Sequence, residues 1–211
     1  MTKILILGAG GQIARLAVPM LAGRGDVALT LFLRDASKLN KVPAKGVRLV
    51  EGDVLDAAKL ASAMAGQDVV YANLAGDVDK QAAAIIAAMK AASVKKLIFV
   101  TSLGIYDEVP GKFGEWNRHE IGAYLPPYRK AADLIEASTL DYAILRPAWL
   151  TDADEVDFET TERNEPFQGT EVSRKSVAAL VVDLALSDRP LGNRNLGVSK
   201  PNTDGDKPAF M

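Results

Sequence analysis

Short apolar runs alternate with helical periodicity along the whole chain. Ile4–Leu7, Leu29–Leu33, Val47–Val50, Val69–Ala72, Leu97–Val100, Tyr142–Leu145 and Leu196–Val198 are the runs, and their brevity and branched apolar content predict strands. Between them, Gln12–Arg24, Asp56–Ala65, Asp79–Ala92, Tyr128–Ser138 and Ser173–Ser187 repeat apolar residues at the spacing that gives a helix one buried face. Strands separated by helices do not pair as hairpins. Each helix carries the chain back over a sheet face, so that the next strand runs parallel to the last. The pattern therefore predicts an α/β fold with a doubly wound parallel sheet, helices on both faces and one domain over residues 1–211. Two links, 104–127 and 148–172, exceed the few residues usual for such connections. Both follow strands at their carboxyl ends, where open α/β sheets bind ligands, so both are expected to form the substrate side.

Composition narrows the function classes without naming one. The 211 residues suffice for one well-packed domain but not for a dinucleotide domain plus a large separate substrate domain. With 48% hydrophobic residues, 25% charged residues and a formal net charge of -2, the chain has no broad basic field for nucleic acid. The absence of cysteine excludes disulfides, thiolate metal sites and a cysteine nucleophile. The first residues lack the basic region and apolar core of a secretory signal. The stretch Val177–Leu186 is broken by Asp183 and falls well short of the ~20 residues that span a bilayer. A cytoplasmic protein without membrane contact is the expectation.

The strongest chemical signal lies at the first strand-to-helix junction. Lys3-Ile4-Leu5-Ile6-Leu7 runs into Gly8-Ala9-Gly10-Gly11-Gln12-Ile13-Ala14. A Gly-x-Gly-x-x-Gly/Ala pattern starting at Gly8 fails at Ile13. The spacing Gly8-x-x-Gly11-x-x-Ala14 fits, with a small residue where the helix must lie close to the strand. Such a turn is too tight for side chains and leads into free backbone N–H groups that can meet a pyrophosphate. Gly8, Gly10, Gly11, Gln12 and Ile13 are the expected dinucleotide grip. At the end of the second strand, Arg34 stands where an NAD-binding chain usually carries a carboxylate for the ribose hydroxyls. A guanidinium suits the 2′-phosphate of NADP, and Ser37 and Lys38 are close enough to add donors. NADP(H) is the expected preference; Asp35 acting as the ribose acid would make NAD(H) the cofactor instead.

Later strand ends supply the remaining candidates. Asp53 and Val54 follow the third strand, with Asp53 either accepting from the adenine amino group or capping the next helix. Leu74, Ala75 and Gly76 follow the fourth and leave room for the adenosine ribose and pyrophosphate. Thr101 and Ser102 follow the fifth, where Ser102 either donates to a substrate carbonyl or satisfies strand-end backbone groups. Tyr106, Tyr124 and Tyr128 are candidate proton donors, of which Tyr106 and Tyr128 complete a catalytic set with Ser102. His119 is the only histidine and is expected to be exposed. Asp152, Asp154, Glu155 and Asp157 lack the spacing of a calcium loop, and a solvated acidic loop is expected; no metal is assigned.

These motifs together resemble the short-chain dehydrogenase/reductase superfamily, and within it the atypical NAD(P)H-binding branch with NmrA-like and flavin/biliverdin reductase-like members. The similarity rests on Gly8–Ala14, on Phe32–Leu39, on Leu140-Asp141-Tyr142-Ala143-Ile144-Leu145-Arg146-Pro147 and on Val172–Ala178. It implies a Rossmann-type domain with Pro147, Ala148 and Trp149 near the nicotinamide and Val172–Val177 opening the helix that closes the substrate side. The wider superfamily places its catalytic tyrosine four residues before a lysine that lowers the phenol pKa. Here Pro126 stands four before Lys130, so that pair is missing. An activated acceptor such as a quinone, flavin or conjugated carbonyl needs little protein acid, so reduction of a small acceptor by a monomer or homodimer is one expectation. The other is a noncatalytic NADP(H)-binding redox sensor with a protein partner.

Overall fold

Alternate side chains of the first strand enter two different helical layers. In the computed structural model, which describes residues 1–39 and 46–211, Ile4 and Ile6 of β1 (Thr2–Leu7) pack with α1 (Gln12–Leu21) and α6 (Arg174–Leu186). Leu5 and Leu7 pack on the opposite face with α2 (Ala57–Met64), α3 (Val78–Ala91) and α5 (Leu125–Glu136). The same alternation recurs in β2 (Val27–Leu33), β4 (Val69–Ala72) and β5 (Lys96–Val100), which send Leu31, Tyr71 and Ile98 to one layer and Phe32, Val70 and Phe99 to the other. A sheet buried on both faces needs apolar residues at every position, which is why the strands read as continuous apolar runs.

The strands lie in the order β3-β2-β1-β4-β5-β6-β10-β8, with β3 at Val47–Glu51, β6 at Asp141–Pro147, β8 at Glu159–Thr161 and β10 at Arg194–Ser199. All neighbours are parallel except at one edge, where β8 pairs antiparallel with β10 through Gly197 and Thr161. This edge is the one exception to the expected parallel sheet: β8 follows β6 without a crossover helix between them. Gly197 belongs to the same close packing, since a Cβ on it would collide with the Thr161 hydroxyl. The winding reverses at β1, which has β2 on one side and β4 on the other. Beyond the carboxyl ends of strands at such a switch, neighbouring loops part and leave a crevice.

The two long links are largely folded. Segment 104–127 contains α4 (Gly111–Ile121) and a short 3-10 turn, Gly122–Tyr124, before α5. Pro126 and Pro127 sit in the first turn of α5, where a missing backbone N–H costs nothing. Segment 148–172 contains β8 and most of a small parallel pair, β7 (Trp149–Thr151) with β9 (Glu171–Ser173). A buried ion pair fastens the start of the first segment to the sheet. Arg146 of β6 is wholly buried, bonds the carboxylate of Glu108 and donates from Nε to Asn195 Oδ1 of β10 at 2.9 Å. Glu108 in turn accepts from the backbone N–H groups of Gly104 and Tyr106 at 3.0 and 2.9 Å. No described helix is long and apolar enough to cross a membrane.

Candidate functional site

The glycine turn between β1 and α1 folds as its sequence requires. Gly8 has φ +79°, a conformation that L side chains rarely adopt, and a Cβ there would also strike the backbone carbonyl of Asn73. Gly11 has an ordinary φ of -69° but stands against the Asn73 side-chain amide, which a Cβ would displace. Gly11 caps α1 without any side-chain hydrogen bond, and no acidic residue occupies the first turn. The N–H groups of that turn are thus left to a ligand, and the positive end of the helix dipole favours an anion there. Residues after β1, β2, β3 and β4 enclose a cleft of about 320 Å³ over this turn. Gly8, Gly10, Gly11, Val54, Leu74 and Ala75 line it. Gln12, Ile13 and Gly76 do not: Ile13 turns into the core, and Gln12 bonds elsewhere.

Arg34, Asp35 and Lys38 line the far end of the same cleft. Asp35 spends its carboxylate on the 3-10 turn Ala36–Lys38, accepting from the Ser37 hydroxyl at 2.6 Å and from the Ser37 N–H at 3.0 Å. These bonds hold its pKa below the usual carboxylate value. Ser37 is committed to this cap and is absent from the cleft wall. Arg34 and Lys38 make no ion pair among the described residues, so two cations face the cleft beside Asp35, whose carboxylate is internally bonded. Asp53 also lines the cleft. It accepts from the Leu55 N–H at 2.9 Å, while Asp56 caps α2 by accepting from Lys59 N–H at 3.1 Å. The cap of α2 thus belongs to Asp56, while Asp53 holds the turn that precedes it.

A second pocket, about 290 Å³, opens beyond β5 and β6 and brings together Thr101, Ser102, Pro147, Ala148 and Trp149. Thr101 is structural, its hydroxyl donating to Leu145 O at 3.1 Å. The Ser102 hydroxyl donates to Leu103 O at 3.1 Å, a bond within the turn that rotation about χ1 can exchange for one into the pocket. Trp149 is held at 4.7 Å from Trp116 between ring centroids, and its indole N–H donates to Asn117 Oδ1 at 2.9 Å. Because an indole only donates, this bond fixes the orientation of the Asn117 amide. Arg174 lines the pocket as well, and it reaches the cofactor turn: Nε donates to Gln12 Oε1 at 2.9 Å. Arg174 lies directly after β9 inside the Val172–Ala178 stretch, where nothing in the sequence singles it out for a pocket wall, and Asn117 stands in no glycine or strand-end motif.

The two tyrosines of the expected catalytic set are separated. Tyr106 does not reach this pocket. Its hydroxyl accepts from Asn195 Nδ2 at 2.9 Å and donates to Glu136 at 3.3 Å, and its ring lies between the guanidinium groups of Arg129 and Arg163 at 4.5 and 4.3 Å. It lines a different cavity, between Pro110 and Arg163. Tyr128 lies 3.5 Å from Leu74 O, beside a residue of the cofactor cleft, and burial raises its phenol pKa above 10.0. The acidic loop after β7 is exposed at Asp152 and Asp154, which reach Arg174 and Lys175 from the solvent side, and Glu155 pairs with Lys200. His119 is exposed and contacts Glu120.

Comparison with known proteins agrees with this geometry. The sequence profile of a family described as NAD(P)H-binding matches residues 8–188, from the glycine turn to just past α6. A Rossmann-fold NAD(P)-binding family protein from Shigella flexneri is 52% identical, with TM-score 0.87 over 100% of both chains. A short-chain dehydrogenase/reductase from Veillonella parvula, solved in complex with NADP, is 28% identical, with TM-score 0.89 over 99% of both chains. NAD(P)H azoreductase from Xenophilus azovorans is 31% identical over 115 residues, which are 54% of this chain and 40% of that relative. The chain thus spans less than half the length of that curated protein. With its glycine turn, its switch-point cleft and a profile match from the first strand end to the last helix, the chain belongs to the NAD(P)H-binding family of Rossmann-fold, short-chain dehydrogenase/reductase-like proteins.

Proposed function

We propose that the chain is an NADPH-dependent reductase of a small planar acceptor, such as a quinone, flavin, azo compound or conjugated carbonyl. The observation that carries this reading is the pairing of two cavities at the carboxyl ends of the strands. One wraps the glycine turn, the other is lined by Ser102 and Trp149, and the Arg174–Gln12 bond links the second to the first residue of α1, next to that turn. Segments 104–127 and 148–172 form the substrate side, and the chain works in the cytoplasm as a monomer or homodimer.

The first-turn N–H groups of α1 hold the pyrophosphate, and Arg34 with Lys38 holds a 2′-phosphate. Bound there, reduced nicotinamide supplies a hydride. Ser102 donates to the acceptor oxygen or nitrogen on which negative charge develops, where one aimed donor is worth about 10²-fold in rate. Tyr128, whose hydroxyl lies beside Leu74 of the cofactor cleft, is the better placed of the two tyrosines, but burial raises its phenol pKa and makes it a poorer proton donor. An acceptor whose reduced form is a stabilised anion takes its proton from water, which fits a chain with Pro126 four residues before Lys130. The azoreductase similarity supports the same reaction class.

The test is NADPH oxidation against quinones, flavins, azo dyes and enones, with cofactor affinity measured in parallel. Turnover with one of these classes is expected. Tight NADPH binding with no turnover on any class would overturn the reductase reading and favour a redox sensor.

A further inference from the structure

Among the described residues, the pocket beyond β5 and β6 is lined by a single ionisable side chain. Ser102 and Thr101 supply hydroxyls, Trp149, Leu150 and Ile121 supply apolar surface, and Arg174 supplies the only charge. Arg174 is also in an unfavourable place for a cation. It is the first residue of α6, followed by Lys175, and no acid occupies that turn. The positive end of a helix opposes such charges. The fold offsets this with three contacts: Gln12 Oε1 at 2.9 Å, Leu150 O at 3.2 Å and Asp152 Oδ1 at 2.9 Å. Those contacts engage Nε and Nη1. Nη2 makes no hydrogen bond among the described residues.

Asp152 does not cancel this charge. Its side chain is 87% exposed while that of Arg174 is 17% exposed, and an ion pair with its carboxylate in water is weak. A guanidinium engaged through Nε and Nη1, with Nη2 left over and no acid among the described residues of the pocket wall, can receive a second oxyanion on the N–H groups of Nη2. Beside it, Trp149 presents a flat surface that Asn117 and Trp116 hold in one orientation. We propose that Arg174 makes this pocket selective for flat, conjugated molecules that carry a carboxylate or sulfonate, with the ring system along Trp149 and the anionic group on Arg174. The inference rests on the acceptor reading above and narrows it to an anionic class. A phosphate of the cofactor offers the same chemistry to Arg174, because Gln12 opens α1, so the experiment separates the two sources.

The probes are two matched pairs: 1,4-naphthoquinone-2-sulfonate with 2-methyl-1,4-naphthoquinone, and an ortho-carboxy azo dye with its methyl ester. Each is titrated by calorimetry into the protein saturated with NADP⁺, and NADPH is titrated separately. The wild type is expected to prefer the anionic member of each pair by roughly tenfold to a hundredfold, less so at high salt. Arg174→Gln should bring that ratio close to one, Arg174→Lys should retain part of it, and Asp152→Asn should raise it by removing a competing carboxylate. Equal affinity for both members in wild type, no binding of the anionic member, or an Arg174→Gln ratio equal to wild type would overturn the proposal. A loss confined to NADPH affinity would overturn it too and assign Arg174 to a cofactor phosphate. Binding is read without turnover. A chain that shows the preference but reduces nothing would fail as a reductase and keep this selectivity, whereas turnover without preference would do the reverse.

Discussion

Single residues divide the cofactor cleft into parts that fail in different ways. Gly8 is required by backbone conformation, so Gly8→Ala should destabilise the fold by about 1–2 kcal/mol for the left-handed φ alone, and more for the collision with Asn73. Gly11 has no such strain, so Gly11→Val should keep its far-UV circular dichroism and lose dinucleotide affinity. Wild-type affinity in that variant would contradict the site. On the proposed reading Arg34 selects the cofactor, because only NADP carries the 2′-phosphate and Asp35 is occupied by Ser37. Arg34→Ala should weaken NADPH by about one to two decades and leave NADH nearly unaffected, as fluorescence titration of both will read. Equal losses for the two cofactors would refute that role. Ser102→Ala should lower kcat by about 10²-fold with little change in NADPH affinity, since its donation matters as charge develops.

Elements differ in how plainly their sequences announce them. The seven expected strands and the helices α1, α2, α3 and α6 follow the apolar pattern because most of the residues they bury are apolar, whereas β7, β8 and β9 are three residues each, include Glu159, Thr160 and Thr161, and carry no apolar run. Helix α4 does not: its buried residues are Phe113, Gly114 and Asn117, so its inner face includes a glycine and an amide. Gly114 is there because a Cβ would strike Val109 O, and Asn117 because Trp149 needs an acceptor. Both requirements come from tertiary contacts that a one-dimensional pattern does not contain. The same holds for the site: the glycine turn and Arg34 were legible because local geometry dictates them, whereas Arg174 meets Gln12 across 162 residues of sequence. Tyr106 was misjudged for the converse reason, its place after β5 being right while Glu136 and Asn195 draw its hydroxyl elsewhere. The fastening of this region rests on Glu108 and Arg146. Glu108→Ala strands a buried guanidinium and should destabilise the protein by about 3–5 kcal/mol in urea unfolding. Replacing both partners by apolar residues should cost much less, and equal losses would contradict the account.

At the scale of the whole molecule, one sheet gathers the cleft over the glycine turn and the proposed acceptor pocket on its carboxyl side. A ligand that binds only this folded arrangement stabilises it by mass action, about 2.7 kcal/mol at a hundredfold excess over Kd. For a chain of this size that corresponds to a rise in Tm of about 5–10 °C, and NADP⁺ should produce it at lower concentration than NAD⁺. The central claim is that hydride passes from NADPH to an acceptor seated by Ser102 and Trp149. Its most direct measurement uses NADPH deuterated separately on each face of the nicotinamide ring, with a conjugated enone as acceptor, and mass spectrometry of the reduced product. The account expects deuterium on the product carbon from one face only, in an amount equal to the NADPH consumed. NADPH that binds and remains unoxidised, or product formed without the label from either face, would contradict it.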